Sequence, residues 1–454
     1  MDLKPSPELY KETFPYTSLP RMQLTDETVP LSLPEKIWLT DTTFRDGQQA
    51  REPYTVEQIV TLYNYMHRLS GPDGVIRFTE FFLYNARDRK ALIRCQELGY
   101  EFPKITSWIR AKKEDLELVK KVEVEETGIL SSLSDYHIFY KFGWGREKTI
   151  ANHLSIAEEC LKQEIIPRCH IEDCTRADIN NVVVPFTQRL MKLSEEYGMP
   201  TKVRVCDTLG LGVPYPEAAL PRSIPKIMNA ITSKGGLPSE WLEYHGHNDF
   251  HLAVAASTSA WMYGASGNNC TLLGIGERAG NTPLEGMLFQ LLQLRPDLRV
   301  ETKIIAEIAD YYKTIGYKVP EFYPIVGRNF NVTRAGVHAD GMVKNPEIYT
   351  PYDFGQIIGR APKSVVSQYS GSSGIAWRIN DLLHLSSGEM IDKNHRGVLK
   401  ILKEVSQQYA EGRVTAFSDV EIMRLTNKYM SEVVALSSRQ AEPLVPEPIV
   451  EGDY

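Results

Sequence analysis

At 454 residues, with 42% hydrophobic and 24% charged residues, the chain has room for more than one domain and the composition of a soluble globular protein. Its net charge of -7 excludes general nucleic-acid binding, which needs a basic footprint, so an anionic substrate must be met by local positive groups. No apolar run approaches the roughly 20 residues that span a bilayer, which speaks against membrane insertion.

Residues 1–35 carry repeated prolines and mixed polarity, which predicts an extended arm on the surface. Met1-Asp2-Leu3-Lys4-Pro5, with acids at Asp2, Glu8 and Glu12, resembles neither a secretory leader nor a transit peptide, so a cytoplasmic protein is expected. Short β-rich runs then recur at 36–40, 75–83, 104–109, 127–133, 165–171, 202–206, 241–245 and 270–274. Amphipathic helical patterns, such as 114–122 and 156–162, fill most gaps. This alternation predicts an α/β protein, and eight strands close a (β/α)8 TIM barrel of about 250 residues, expected over 36–304. An open nucleotide-binding sheet is disfavoured because no Gly-rich fingerprint follows the first strand. Residues 305–440 read as a smaller, mostly helical region with a Gly/Ser loop at Ser370-Gly371-Ser372-Ser373-Gly374, and 441–454 as an acidic, Pro-rich tail. The six cysteines (Cys95, Cys160, Cys169, Cys174, Cys206, Cys270) show no zinc or disulfide framework.

Three clusters carry chemistry. Asp41-Thr42-Thr43-Phe44-Arg45-Asp46-Gly47-Gln48-Gln49 follows the first strand, at the barrel end where active sites form. A carboxylate beside an arginine there can hold a metal and a substrate oxygen, or merely pair as a salt bridge. His245-Gly246-His247-Asn248-Asp249 ends the seventh strand, and alternate residues put both imidazoles on one face, as a metal pair requires. Asp249 is expected to orient those ligands. Gly274-Ile275-Gly276-Glu277-Arg278-Ala279-Gly280-Asn281 follows the eighth strand. Asn281 can complete a metal shell, and the segment can equally be a tight turn with a Glu-Arg ion pair.

These three motifs, in this order, resemble the DRE-TIM metallolyase superfamily in its isopropylmalate/homocitrate synthase branch, over about residues 36–440. The resemblance implies that Asp46, His245 and His247 bind a divalent metal, Mn2+ or Mg2+ first, with Co2+ or Zn2+ as further candidates. Asn281 would be a metal or near-metal residue. Arg45 would stabilise an enolate oxygen. Glu172, in Arg168-Cys169-His170-Ile171-Glu172-Asp173, would be catalytic. Thr208, His137 and Gln49 would contact substrate. In Ala335-Gly336-Val337-His338-Ala339-Asp340-Gly341, His338, with Tyr349 eleven residues on, is similar to catalytic residues donated to a neighbouring subunit, which implies a domain-swapped homodimer. The chain departs from the family at Thr333, where members usually carry another histidine.

The implied reaction is a Claisen condensation. A metal would polarise the ketone of a 2-oxo acid. His338, with Glu172 and Tyr349, would take a methyl proton from acetyl-CoA. Arg45 would meet the developing negative charge. Arg168 lies four positions before Glu172 on the same strand face, with His170 between them, and an arginine fork there suits the far carboxylate of a dicarboxylic 2-oxo acid; a pairing with a neighbouring acid is the plainer alternative. Homocitrate synthases usually have Glu at the place of Asp46. The bulk of Glu80-Phe81-Phe82-Leu83-Tyr84 suits a substrate shorter than 2-oxoglutarate. With the long arm and Ser370-Gly371-Ser372-Ser373-Gly374-Ile375-Ala376, the pattern is similar to Re-face-specific citrate synthases, which act on oxaloacetate. The alternatives are homocitrate, 2-isopropylmalate and citramalate synthases. A related CoA lyase would need a cysteine in the 274–281 loop, which has none. A biotin-dependent carboxyltransferase would need a lysine ligand motif, which is missing. An Fe(II) oxygenase would share the two-histidine, one-carboxylate set, and a non-catalytic metal-binding scaffold would release no thiol. No C-terminal regulatory domain is expected.

Overall fold

A computed structural model describes residues 6–440 of the chain, apart from residue 387. The chain divides into two compact units after Ile304.

The first unit is a closed barrel of eight parallel strands in sequential order. The strands are β1 (Trp38–Asp41), β2 (Ile76–Phe82), β3 (Lys104–Arg110), β4 (Glu126–Leu130), β5 (Ile166–Ile171), β6 (Lys202–Asp207), β7 (Leu242–Gly246) and β8 (Gly267–Cys270). Closure is made by β8 pairing with β1, Asn269 opposite Thr40. Around it run α1 (Val56–Ser70), α2 (Ala86–Gln96), α3 (Lys113–Lys120), α4 (Arg146–Leu161), α5 (Val184–Tyr197), α6 (Ile224–Asn229), α7 (Ala253–Met262) and α8 (Leu284–Leu294).

The local sequence explains these elements. Thr55 and Gln58 form a capping box that starts α1, and Gly71, at φ 63°, ends it. Between them Ile59, Leu62, Met66 and Leu69 recur at helical spacing and are fully buried. Each such side chain contributes about 1.5–3 kcal/mol of burial. Pro185 opens α5 in the first turn, and Gly198 in the left-handed region closes it.

One strand departs from expectation. The eighth was expected at 270–274 from its apolar run, but β8 is Gly267–Cys270, and Leu272–Gly274 is a tight turn with Leu273 in the left-handed region at φ 56°. The strand sequence Gly-Asn-Asn-Cys is polar because Asn269 faces a polar lumen and Asn268 ties the strand to α7 on the outer side. Asn269 donates to Thr40 Oγ1 at 2.9 Å, and Asn268 to the Ser257 carbonyl at 2.8 Å. Polar groups that are paired in this way can be buried.

In the arm, residues 6–35 have little regular structure. Leu24 bridges to Ala218, and Arg222 donates to the carbonyl of Arg21 at 2.7 Å, so the arm is held against the loop after β6.

The second unit opens with α9 (Ile304–Thr314), followed by β9 (Val332–Thr333), α10 (Gly336–Lys344), α11 (Phe354–Ile358), β10 (Lys363–Ser364), α12 (Ser372–Leu382), α13 (Arg396–Ala410), α14 (Asp419–Tyr429) and α15 (Ser431–Gln440). Its core gathers Val366, Ile375, Ile379, Val398, Ile401, Val405, Ile422 and Leu425. The expected Gly/Ser loop is only half a loop. Gly371 caps α12, and Ser372, Ser373 and Gly374 are already helical. The expected tail at 441–454 lies outside the described residues. Among the described residues no helix is long and apolar enough to cross a membrane.

Candidate active site

The barrel lumen is unusual in being charged, where aliphatic layers normally fill such a core. Paired residues on neighbouring parallel strands face the same side, which traces the lumen from strand to strand. Phe82 pairs with Trp108, Trp108 with Gly128, and Gly128 with Arg168. His170 pairs with Arg204, Arg204 with Glu243, and His245 with Asn269.

Deep in the lumen, Arg204 bridges two carboxylates. Its Nη1 donates to Glu80 Oε2 at 2.9 Å and its Nε to Glu243 Oε2 at 2.5 Å. Arg168 donates from Nε to Glu126 Oε1 at 2.6 Å and from Nη1 to Glu243 Oε2 at 3.0 Å, and Lys202 also holds Glu126. The plainer alternative, a pairing with neighbouring acids, is thus the arrangement of Arg168 in this structure. Residues four apart on a strand share a face but lie about 13 Å apart along it. Arg168 thus belongs to the ion network below the mouth, while Glu172 stands just past the strand's end.

The mouth gathers the metal candidates. Nε2 of His245 and of His247 each lie 3.6 Å from Asp46 Oδ2, and 3.3 Å from one another. One donor atom from each of the three residues falls within 4.8 Å of the others. Asn281 donates to Asp46 Oδ2 at 2.7 Å, and its own Oδ1 is buried and has no partner among the described residues. Gly276 makes room for that oxygen, since a Cβ at 276 would lie 2.1 Å from it. Burial alone would raise the Asp46 pKa, but Arg45, His245 and His247 outweigh it and hold the carboxyl well below its usual range. Burial lowers His245 to about 3, so its imidazole is neutral, as a metal ligand must be. An ionised carboxylate, two imidazoles on one face and an uncommitted amide oxygen fit a divalent cation.

Arg45 stands beside this set. Its Nη1 donates to Asp46 Oδ1 at 2.5 Å and its Nε to Glu80 Oε1 at 2.7 Å. Asp41, in the same motif, is structural. Thr43 Oγ1 and Thr79 Oγ1 donate to it at 2.5 and 2.7 Å, which shapes the turn that presents Arg45 and Asp46.

Glu172 lies past the end of β5 and accepts from three side chains. These are Lys141 at 2.8 Å, His137 Nδ1 at 3.0 Å and Ser132. Burial would raise its pKa, but these hydrogen bonds prevail and bring it to about 2. His137 and Lys141 share the π-helical turn Tyr136–Lys141, a rare form frequent at functional sites. Thr208 Oγ1 accepts from the Asp173 amide at 2.8 Å. His170 is buried, and burial together with Arg204, Arg45 and Arg168 pushes its pKa well down, so it is neutral. Gln49 is exposed on the turn after Asp46.

Two expectations need correction. Asp249 does not orient the histidines. It pairs with Arg278 at 2.8 Å, so the expected Glu277–Arg278 pair is replaced by Asp249–Arg278. His245 is held instead by Asn269, whose Oδ1 lies 2.8 Å from Nδ1. His338 and Tyr349 lie in the second unit, with ring centroids 4.5 Å apart.

Sequence reasoning missed Glu80, Glu243, Arg204, Asn269, Trp108 and Lys141. Most were within reach of the alternation applied to the histidines. Glu243 precedes His245 by two residues, and Arg204 follows Lys202 by two, with valines between and after them. A charge on the inward parity of a barrel strand was the available signal. Lys141 had none, because its place depends on the π-helical turn.

The HMGL-like family model matches residues 36–311. The Citrate (Re)-synthase of Syntrophus aciditrophicus is 48% identical over 94% of this chain and 68% of that protein. The Citrate (Re)-synthase of Clostridium kluyveri is 47% identical over 96% of each. Among solved structures, the hydroxymethylglutaryl-CoA lyase from Pseudomonas aeruginosa has a TM-score of 0.51 at 16% identity, covering 63% of this chain and 95% of that one, which is a likeness of fold. With the family model matched across the whole barrel, and near-half identity to relatives along almost its full length, the chain belongs to the HMGL-like (DRE-TIM) family.

Proposed function

We propose that the protein condenses acetyl-CoA with oxaloacetate, releasing citrate and CoA, as a Re-face-specific citrate synthase. The observation that carries this reading is the near-half identity, over almost the whole chain, to two proteins that bear that name. The charge of the lumen supports it. Asp46, Glu80, Glu126, Glu172 and Glu243 are matched by Arg45, Lys141, Arg168, Lys202 and Arg204. A divalent cation brings two positive charges, which a dicarboxylate neutralises and a monocarboxylate does not. The aromatic wall of Phe82, Tyr84 and Trp108 favours the shorter dicarboxylate.

A divalent cation at Asp46, His245 and His247, with Asn281 beside it, would supply Lewis-acid polarisation of the keto group; Mn2+ and Mg2+ are the first choices. The chain's own residues do the rest. Glu172 is ionised at neutral pH and holds His137 by hydrogen bond, so it orients and accepts rather than donates. Arg45 is aimed by Glu80 and Asp46 toward the place where negative charge develops. His338, packed on Tyr349, takes a methyl proton of acetyl-CoA in the barrel of a second copy of the chain. The enolate carbon then bonds to the keto carbon, the C=O π bond opens, and the keto oxygen takes up a proton to become the hydroxyl. Water hydrolyses the thioester, and the thiolate leaves with a proton as CoA. Thr208 and Gln49 contact the keto acid.

The test is thiol release from acetyl-CoA with oxaloacetate, 2-oxoglutarate, 2-oxoisovalerate and pyruvate, each with Mn2+, Mg2+, Co2+ and Zn2+. Oxaloacetate is expected to give the highest kcat/KM. A preference for 2-oxoisovalerate or pyruvate refutes the substrate, and no thiol release with any keto acid refutes the enzyme. Equal mixtures of His338→Ala and Glu172→Gln chains, each inactive alone, are expected to recover activity through heterodimers.

A further inference from the structure

The lumen holds a donor that has no acceptor among the described residues. Trp108 faces inward from β3, between Phe82 on β2 and Gly128 on β4. The Arg45 guanidinium carbon lies 5.4 Å from its ring centroid, which puts the indole at the level of the active mouth. Phe82 and Tyr84 meet the ring edge-on at 5.6 and 6.2 Å. The indole N–H is sealed from solvent, and no acceptor among the described residues reaches it. Buried indole donors ordinarily find an acceptor, so an uncommitted one beside Arg45 is suited to recognition. On the neighbouring strand the His170 ring packs over Gly128. Gly128 has no side chain, and a Cβ there would lie 2.6 Å from the His170 ring, whose Nε2 is also buried without a hydrogen bond. Arg168 is already committed to Glu126 and Glu243.

We propose that the Trp108 indole N–H receives the far carboxylate of a four-carbon dicarboxylic 2-oxo acid and so selects for it. This rests on the reading that oxaloacetate is the substrate. A neutral N–H donating to a carboxylate makes a charge-assisted bond. An analogue with a methyl group in that position leaves the donor unpaired, and sites built around a hydrogen bond reject such analogues strongly.

Trp108→Phe keeps a ring beside Arg45 and deletes only the N–H. With metal-loaded full-length enzyme and saturating acetyl-CoA, KM and kcat are measured for oxaloacetate and for 2-oxobutyrate, its counterpart with methyl in place of the far carboxylate. The KM for oxaloacetate is expected to rise roughly tenfold or more, with a smaller change in kcat, while 2-oxobutyrate kinetics stay within about twofold. Trp108→His, which retains a ring N–H, is expected to keep part of the selectivity, and thermal melting checks that both variants fold. Equal losses on the two keto acids would show that Trp108 merely supports Arg45 and would overturn the inference, as would an unchanged preference for oxaloacetate in Trp108→Phe. A wild-type enzyme with no preference for oxaloacetate over 2-oxobutyrate overturns the parent reading and the inference together.

Discussion

Asn269 Oδ1 accepts from Nδ1 of His245 at 2.8 Å, and this decides which nitrogen of the imidazole faces the metal site. The amide cannot turn over, because its Nδ2 donates to Thr40 Oγ1 at 2.9 Å, while Thr40 in turn donates to Glu243. A carboxylate deep in the lumen thus fixes a hydroxyl, the hydroxyl fixes an amide, and the amide puts the proton on Nδ1. The lone pair is left on Nε2, the atom that points at Asp46.

Asn269→Ala is therefore expected to weaken Mn2+ affinity by roughly 10- to 100-fold, while Asn269→Asp, which keeps an acceptor, loses less. Calorimetric titration of the metal-free protein reads both. Unchanged affinity in the alanine variant would mean that the tautomer is set elsewhere.

Arg168 and its glutamates make a different prediction from the one the sequence alone suggested. Arg168→Ala leaves Glu126 and Glu243 short of a buried partner, so urea unfolding should show a loss of about 3–5 kcal/mol. The remaining activity should show no special loss on dicarboxylic keto acids. A stable variant with selectively impaired oxaloacetate turnover would return Arg168 to the substrate pocket.

Lys141 and His137 together keep Glu172 ionised. Removing the cation with Lys141→Met raises the Glu172 pKa from about 2 toward its ordinary 4.5. The acid limb of the kcat/KM profile should accordingly move to higher pH, with little change above pH 7. An acid limb in the same place as wild type would show that Glu172 does not govern it.

His153, on α4, is buried with Nε2 3.3 Å from the Ser132 carbonyl, and burial lowers its pKa from 6.5 to about 4. The folded state therefore refuses a proton that the unfolded chain accepts. Stability from this group is whole above pH 6.5 and declines as pH falls toward 4, by about 1.4 kcal/mol per unit. His153→Gln should lessen the fall in Tm between pH 6.5 and 4.5. The same fall in both proteins would place the acid sensitivity in other groups.

The sequence by itself determined the barrel and its chemistry. Seven of the eight recurring runs overlie β1–β7, since the outward face of each strand, buried under the helices, leaves a local apolar signature that needs no partner to be read. Strand parity placed His245 and His247 on one face, and the Asp46 motif sat at a strand's end. Only the tertiary structure decided depth. Arg168 and Glu172 share a face but not a level, and the ion pairs that occupy Arg168 come from strands 42 and 75 residues away. The polar β8 was illegible for the same reason, because Asn269 is a strand residue only when Thr40 and His245 stand opposite to pair with it. Periodicity records which way a side chain points. Whether it meets a substrate or a counter-charge is settled when the barrel closes.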